Sequence, residues 1–483
     1  MRTITLAVFL LGLSVLANSQ NPMKSAYDDD PPAPSVESAY SPQLRSELTS
    51  LRDAALADEY AYRQLAHLTE NIGPRPSGSA QAEAAANYVA DELRKLGLEV
   101  HLEEAQVPHW MRGIETAELV EYPGQVPGTV QKIVLTALGC NAPTPVGGLT
   151  AEVVVVTSFP ELQALGRDKV AGKIVLFNTR LDARMTAGNY AFEAYEDAVA
   201  FRGKGPKAAA ALGAAGSLVR SVGDADYRLP HAGGCTAAGI PAGAVTAEDA
   251  ELIAHLAAQG KVRIHEVLTG QNGPPVTGHN VVADIKGSEH PEQIVVVSGH
   301  LDSWDLGTGA IDDGAGVVMA METAELVQRL HLRPKRTIRV IAWVDEENGG
   351  KGHEAYAAQH GSDFGNYVAA IESDAGAAHP LGFHAKVSPN ALPLLKPVQE
   401  ILASFGANLM APTSDAPGSD IEPMAKAGVP SFGTMEEGQT YFHYHHTAAD
   451  TLDKVVPLEL RENAAAMAVL GYALANLPEP LPR

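Results

Sequence analysis

The chain has 483 residues, 45% of them hydrophobic, so it is long enough for two or three domains with cores of their own. Its 35 basic and 58 acidic side chains give a net charge of −23, and the sequence shows no basic face of the kind that nucleic-acid binding requires. Two cysteines, Cys140 and Cys235, are too few for a disulfide framework or a cysteine-based zinc site. Whether they pair is left open by the sequence.

The first residues have the pattern of an export signal. Arg2 supplies a positive charge, residues 4–17 are apolar, and small residues that suit cleavage follow. The apolar run is shorter than the roughly 20 residues of a membrane-spanning helix, so we favour cleavage over a membrane anchor. We therefore predict a signal peptide at 1–19 and an acidic, proline-rich tether at 20–41. The expected protein is exported, periplasmic or secreted, and has no membrane span.

Three regions follow the tether. The first region, 42–122, shows leucines and alanines at helical spacing as far as about residue 96. Residues 123–275 contain short β-like runs and an Ala- and Gly-rich helix predicted at 207–216, which favours an inserted α/β or β-rich domain. Residues 276–483 alternate strands with helices, one of them predicted at 392–405. This alternation predicts an α/β fold with a mixed, largely parallel sheet flanked by helices.

Histidine and carboxylate side chains follow three predicted strands, at the end where open α/β sheets place ligand sites. These side chains are His300 and Asp302 after the strand 294–297, Glu346 and Glu347 after 337–343, and Asp374 after 367–371. Carboxylates gathered in this way repel one another unless a cation or solvent compensates their charge. A solvated acidic loop is the simpler explanation of any one group, but the repeated position at strand ends argues against it.

Two further segments carry the same residue types. Asp312 and Asp313 lie in a glycine-flanked turn before a predicted helix. A carboxylate there can also cap the helix, an explanation that suits Asp313 better than Asp312. A histidine cluster at 443–446 lies in a predicted loop, with Asp450 four residues after His446. Two histidines and several carboxylates at one edge of a sheet suit two divalent metal ions.

The order of these motifs resembles that of the co-catalytic di-zinc exopeptidases, and four segments resemble their carboxypeptidase Q branch in particular: 72–75, 107–113, 247–251 and 299–305. The resemblance runs from about residue 45 to about residue 475. It implies the zinc exopeptidase fold, in which 42–122 and 276–483 form two parts of the peptidase domain. Residues 123–275 would then be an inserted domain of the protease-associated type.

The same resemblance implies a metal-ligand set with two zinc ions per chain. Asp312 would bridge both ions. His300 and Asp374 would complete the protein ligands of one ion, and Glu347 and His446 those of the other.

The remaining implied roles concern catalysis and the substrate. Glu346 would be the general base, and Asp302 an acid acting behind the metal ligands. His446 is preferred over its neighbour His445 because it directly precedes Thr447 in the His-Thr-x-x-Asp pattern. Two candidate pocket residues are Asp420 and Tyr441, although Asp420 could instead cap a helix.

The function expected from these roles is hydrolysis of dipeptides or short peptides by a water activated between two metals, with a glutamate base. The resemblance also implies a homodimer. Two alternatives remain open: a metal-dependent deacylase of N-acyl amino acids, and a non-catalytic binding protein, against which the presence of Glu346 argues. The sequence does not decide which end of the peptide is recognised.

Overall fold

Two eight-stranded sheets organise the chain in the computed structural model, which describes residues 39–223 and 227–483. The predicted signal peptide 1–19, and all of the tether 20–41 before residue 39, lie outside the described residues. Within the described ranges we find no helix whose length and hydropathy would let it cross a membrane.

The first sheet is mixed, with a parallel centre, which confirms the predicted fold class. Its strands, in spatial order, are Glu99–Val107, Val276–Ile285, Arg336–Trp343, His290–His300, Tyr367–Glu372, Ser431–Glu436, Pro380–Lys386 and Leu409–Pro412. The third to sixth of these run parallel, whereas the second is antiparallel to both the first and the third.

Both faces of this sheet are covered. Along the strand His290–His300, Val295 and Val297 belong to one buried cluster, while Val296 belongs to another, because neighbouring side chains of a strand point to opposite faces. Helices supply the layers that bury them, as expected for parallel strands with continuous apolar runs. The α-helices within the described residues are Pro42–Leu56, Tyr60–Ala66, Ala80–Lys95, Phe159–Val170, Ala183–Ala187, Ala191–Ala211, Ala247–Ala257, Ala315–Arg329, Lys351–His360, Lys396–Leu402, Glu422–Lys426, Tyr441–Tyr444 and Pro457–Asn476.

The second sheet is formed by the chain between the first two strands of the first sheet. Its strands, in spatial order, are Gln131–Ile133, Glu115–Glu121, Arg263–Leu268, Leu149–Val156, Ile174–Phe177, Gly216–Arg220, Ala242–Val245 and Leu135–Ala137. The sheet thus begins before position 123, where the sequence suggests a boundary. The strand Glu115–Glu121 pairs with Arg263–Leu268, a partner remote in sequence that local patterns do not reveal. That residues 123–275 form an inserted domain of the protease-associated type stays a prediction.

Two local expectations are corrected. The helix predicted at 207–216 is part of the longer helix Ala191–Ala211, and the chain has already entered a strand at Gly216. The helix predicted at 392–405 is divided into three short helical segments, Leu392–Leu395, Lys396–Leu402 and Ala403–Phe405. The first two segments each carry a proline in their first turn, and a proline interrupts a continuous helix because it lacks the N–H donor.

The part of the chain that forms the second sheet also forms a disulfide, which settles the pairing that the sequence left open. Cys140 and Cys235 are bonded, with their Cα atoms 5.2 Å apart and a sequence separation of 95. Both sulfurs pack against the same buried cluster as Val175 and Phe177. The bond therefore closes a long loop within the second sheet and does not join it to the first.

A buried carboxyl in the second sheet makes stability depend on pH. Glu266 is fully buried, neither of its side-chain oxygens has a hydrogen-bond partner among the described residues, and burial raises its pKa to about 8. The pKa of Glu266 in the folded protein thus lies above its ordinary value of 4.5. Between pH 4.5 and about pH 8 the folded protein keeps a proton on Glu266 that the unfolded chain has released. The contribution of Glu266 to the free energy of unfolding is therefore fully present at low pH and is lost as the pH rises through this range.

We expect the Glu266→Gln variant to lose this pH dependence, because its amide does not ionise. From the two pKa values, the unfolding free energy of the wild type should fall by about 2 kcal/mol more than that of the variant between pH 5 and pH 7. Urea unfolding of both proteins at the two pH values measures the difference. Parallel losses of stability in the two proteins would contradict this assignment.

Candidate metal centre

The candidate centre lies where three parallel strands of the first sheet end. The central strand His290–His300 pairs with Arg336–Trp343 on one side and with Tyr367–Glu372 on the other. His300 lies opposite Trp343, and Ser298 lies opposite Glu372. The residues that follow these strands therefore meet at one edge, as the motif positions suggest.

One half of the centre is formed around His300. Its Nε2 atom lies 3.1 Å from Oδ1 of Asp312 and 3.5 Å from Oδ1 of Asp374. Its other ring nitrogen, Nδ1, lies 3.0 Å from the backbone oxygen of Asp302 and is placed to donate a hydrogen bond to it. This bond selects the tautomer whose Nε2 lone pair faces the carboxylates.

The other half is formed around His446. Its Nε2 atom lies 3.2 Å from Oδ2 of Asp312 and 3.1 Å from Oε2 of Glu347. Its Nδ1 atom lies 3.2 Å from the backbone oxygen of Ala232, again placed to donate. Asp312 therefore presents one oxygen to each histidine, which is the arrangement that a bridging carboxylate needs.

His445 lies close to the same carboxylate. Its Nε2 atom is 3.5 Å from Oδ2 of Asp312, and its ring stacks on that of His446 with centroids 3.6 Å apart. Ligand atoms of Asp312, His445 and His446 all lie within 4.8 Å of one another, as do those of His300, Asp312 and Asp374. His445 is thus a second candidate ligand, but only His446 also faces Glu347.

The electrostatics of the cluster favour cations. Burial alone would lower the pKa of His446, but the carboxylates of Glu347 and Asp312 raise it to about 9. Burial likewise disfavours charge on His300, yet its hydrogen bonds to the surrounding aspartates hold its pKa well above the usual range. Burial raises the pKa of Glu347 to about 7 in spite of His446. The surrounding carboxylates thus stabilise positive charge at both imidazoles.

The donor set fits divalent zinc. Imidazole nitrogens and carboxylate oxygens are ordinary zinc ligands, and both imidazoles are held with Nε2 directed at the cluster. Oε1 of Glu347 is buried without a hydrogen-bond partner among the described residues, so an acceptor atom is left for a cation.

Asp302 and Glu346 lie beside this ligand set. The carboxylate of Asp302 accepts hydrogen bonds from the backbone N–H groups of Glu346 at 3.1 Å and Glu347 at 3.3 Å, and from the hydroxyl of Ser77 at 3.0 Å. Asp302 thus positions the two glutamates. The Glu346 carboxylate makes no hydrogen bond to any described residue. Burial raises its pKa well above the usual range.

Asp313 acts as a helix cap. Its Oδ1 atom accepts a hydrogen bond from the N–H of Gly316 at 2.9 Å, in the first turn of the helix Ala315–Arg329. Its Oδ2 atom accepts from the backbone N–H of His300 at 3.0 Å. This aspartate consequently ties the helix to the strand that carries His300.

Two residues that sequence reasoning did not assign hold the loop before Asp312. The fully buried guanidinium of Arg75 donates to the backbone oxygens of Leu301, Thr308 and Gly309 at 2.7 to 2.8 Å. Asp450 accepts from the N–H groups of Ala310 and Ile311, both at 2.8 Å. Both residues belong to motifs on which the family resemblance rests: Arg75 to the segment 72–75 and Asp450 to the His-Thr-x-x-Asp pattern. Their presence in these motifs could have identified them from the sequence.

The second sheet also reaches the centre. The indole of Trp304 lies in the core of the second sheet, and its N–H donates to Oε2 of Glu347 at 2.5 Å. The next residue, Asp305, forms a two-fold ion pair with Arg112, at 2.8 and 2.6 Å. Ala232, the partner of His446, lies between two strands of the second sheet, with its side chain in the same core.

The two candidate pocket residues are both buried. Oδ1 of Asp420 lies 2.8 Å from Nδ1 of His353, and the aspartate does not cap the helix Glu422–Lys426. Tyr441 packs in an aromatic cluster, with ring centroids 5.3 Å from Phe192 and 5.1 Å from His445. Only Tyr441 thus lies directly against a residue of the metal centre.

Comparison with known proteins places these features in a family. Peptidase family M28 matches residues 280–471. Carboxypeptidase Q of Homo sapiens is 37% identical over 459 residues, which cover 91% of this chain and 93% of that protein. Carboxypeptidase Q of Bos taurus is 38% identical over 435 residues, 88% of each chain.

Solved structures give the same result. A crystal structure of a peptidase M28 precursor from Shewanella amazonensis superimposes with a TM-score of 0.85 at 32% identity, covering 91% of this chain and 98% of that one. A zinc aminopeptidase from Bacillus subtilis superimposes with a TM-score of 0.62 at 21% identity, covering 88% and 98%. At that identity, the second match shows similarity of fold.

Proposed function

Because this chain belongs to peptidase family M28, we propose that it is a di-zinc exopeptidase that hydrolyses dipeptides or short peptides. The observation that carries the proposal is the placement of Asp312 between two histidines, with one oxygen 3.1 Å from His300 and the other 3.2 Å from His446. A centre of this form suits two metal ions better than one.

The proposed ligands are divided between two positions. His300 and Asp374 would hold one zinc ion, Glu347 and His446 would hold the other, and Asp312 would bind both. Zinc bound there supplies Lewis acidity for the scissile carbonyl and lowers the pKa of an attacking water. We prefer His446 to His445 because its Nε2 atom faces two carboxylates and that of His445 faces one.

Glu346 is proposed as the general base. Its carboxylate is next to the ligand Glu347 in sequence but makes no hydrogen bond to a described residue, so it is available to the reacting groups. It would accept a proton from the attacking water and donate it to the nitrogen of the leaving amine. Asp302 would keep it in position through the backbone N–H of Glu346, which donates to Oδ1 at 3.1 Å.

Export and dimer formation are further parts of the proposal. The export signal predicted at 1–19 supports a periplasmic or secreted enzyme. The disulfide between Cys140 and Cys235 suits such an enzyme, because disulfides persist in oxidising compartments. The homodimer rests on the family resemblance alone.

Three matched substrates test the specificity: a free dipeptide, its N-acetyl form and its C-terminal amide. We expect the zinc-loaded mature protein to cleave the free dipeptide fastest, and retained activity on one blocked form would identify the end that the pocket does not recognise. Release of the acyl group from the N-acetyl form would indicate the deacylase. Failure to cleave any of the three substrates would contradict the proposal and favour a binding protein.

A further inference from the structure

We propose that the second sheet completes the metal position formed by Glu347 and His446, whereas the position formed by His300 and Asp374 is built by the first sheet alone. The inference rests on the ligand assignment of the proposed function. It makes Trp304 a positioning residue, because its indole N–H is the contact through which the second sheet reaches Glu347.

Trp304 connects the two sheets physically. It follows the strand His290–His300 of the first sheet, yet its side chain is 5% exposed and lies in the hydrophobic core of the second sheet. The fit is close, because a Cβ atom on Gly139 would come within 2.7 Å of the indole ring. The ion pair between Asp305 and Arg112 holds the adjacent backbone against the second sheet. The indole N–H is therefore fixed in direction by the second sheet when it donates to Glu347.

His446 depends on the second sheet in the same way. The N–H of Ala232 donates to the backbone oxygen of His446 at 2.8 Å, and Nδ1 of His446 lies 3.2 Å from the backbone oxygen of Ala232. The buried guanidinium of Arg202, on the helix Ala191–Ala211, donates to the same backbone oxygen of Ala232 at 3.4 Å. The two contacts with Ala232, whose oxygen Arg202 also binds, thus set the orientation of the ring.

Among the residues that the structure describes, the ligands of the other position show no such contacts. Nδ1 of His300 is bonded to the backbone oxygen of Asp302, and the backbone N–H of His300 donates to Asp313. Asp374 follows a strand of the first sheet, and its ion-pair partner among the described residues is His300. Partners of metal ligands typically change metal affinity by roughly 10 to 100-fold when they are removed. The two positions should therefore respond differently to changes in the second sheet.

The chain offers a matched pair of substitutions. Trp304→Phe removes the N–H donor and keeps an aromatic ring in the core. Trp110→Phe makes the same change in the same core, with ring centroids 6.0 Å apart, but the N–H of Trp110 is buried without a partner among the described residues. The two variants share the packing change and differ in the hydrogen bond to Glu347.

Zinc affinity measured by chelator competition on the full mature chain tests the proposal. We expect W304F to bind one of its two zinc ions roughly 10 to 100-fold more weakly, while W110F binds both as the wild type does. Anomalous diffraction from crystals of W304F at limiting zinc should show the loss at the Glu347 and His446 position. Equal weakening of both ions, loss at the His300 position, or the same loss in W110F would overturn the proposal.

A second variant covers the case in which W304F does not fold. Asp305→Asn weakens the ion pair with Arg112 and leaves Trp304 and the ligands intact, so the same zinc ion should be weakened by a smaller factor. Unchanged affinity for both ions in every folded variant would overturn the inference. A wild type that binds no zinc would instead refute the proposed function, so the two failures are distinct.

Discussion

Glu346→Gln is expected to lower kcat by roughly 10² to 10⁴-fold while both zinc ions remain bound. The amide has nearly the same size as the carboxylate but does not accept a proton from the attacking water. Zinc binding should persist because the Glu346 side chain is not among the proposed ligands. Steady-state kinetics on a free dipeptide, with metal content determined by mass spectrometry on the same samples, measures both quantities.

The matched control is Glu354→Gln, the same change in an exposed glutamate that pairs with Lys351 at 2.6 Å. It should leave kcat and zinc content at wild-type values. Near-normal turnover in E346Q would remove Glu346 from the mechanism. Loss of zinc in that variant would show that its carboxylate belongs to the ligand set instead.

Asp312→Ala is expected to remove both zinc ions and all measurable turnover. Its two oxygens face the two histidines separately, so truncation takes one ligand from each position at once. The same substitution at Asp453, whose side chain is 70% exposed, should change neither zinc content nor kcat. Zinc content per chain, measured after exhaustive dialysis, distinguishes the outcomes.

Retention of one tightly bound zinc ion in D312A would contradict the bridging role. The remaining ion would then be held without Asp312, by the other ligands of a single position. Retention of two ions with normal turnover would exclude the proposed centre altogether.

Much of this centre could be predicted from the sequence because its residues follow strands. A buried apolar run identifies a strand, and the residue after it must lie at the sheet edge, so His300, Glu347 and Asp374 could be placed together without coordinates. Asp313 posed a harder problem, since a helix cap and a ligand use the same residue type at the same place. The hydrogen bond to Gly316 identifies it as the cap.

The parts that could not be predicted depend on contacts between remote segments. Arg75 donates hydrogen bonds to three backbone oxygens more than two hundred positions away, and a local sequence pattern does not predict such contacts. The pairing of Asp420 with His353 was missed for the same reason. The helix Ala191–Ala211 was found only at its end, because the alanines that mark it are concentrated there.

The register at the edge of the first sheet has a consequence for how the chain folds. Val107 pairs with Val276 in the strand pair Glu99–Val107 and Val276–Ile285, although 276 − 107 = 169 positions separate them. Closing so long a flexible loop would slow the formation of this pair, since closure entropy grows with loop length. Once the second sheet has formed, its two chain ends emerge side by side and the remaining closure is short. We therefore expect the intervening segment to acquire structure early, and its length to be free to vary between homologues without weakening the sheet that carries the proposed metal ligands.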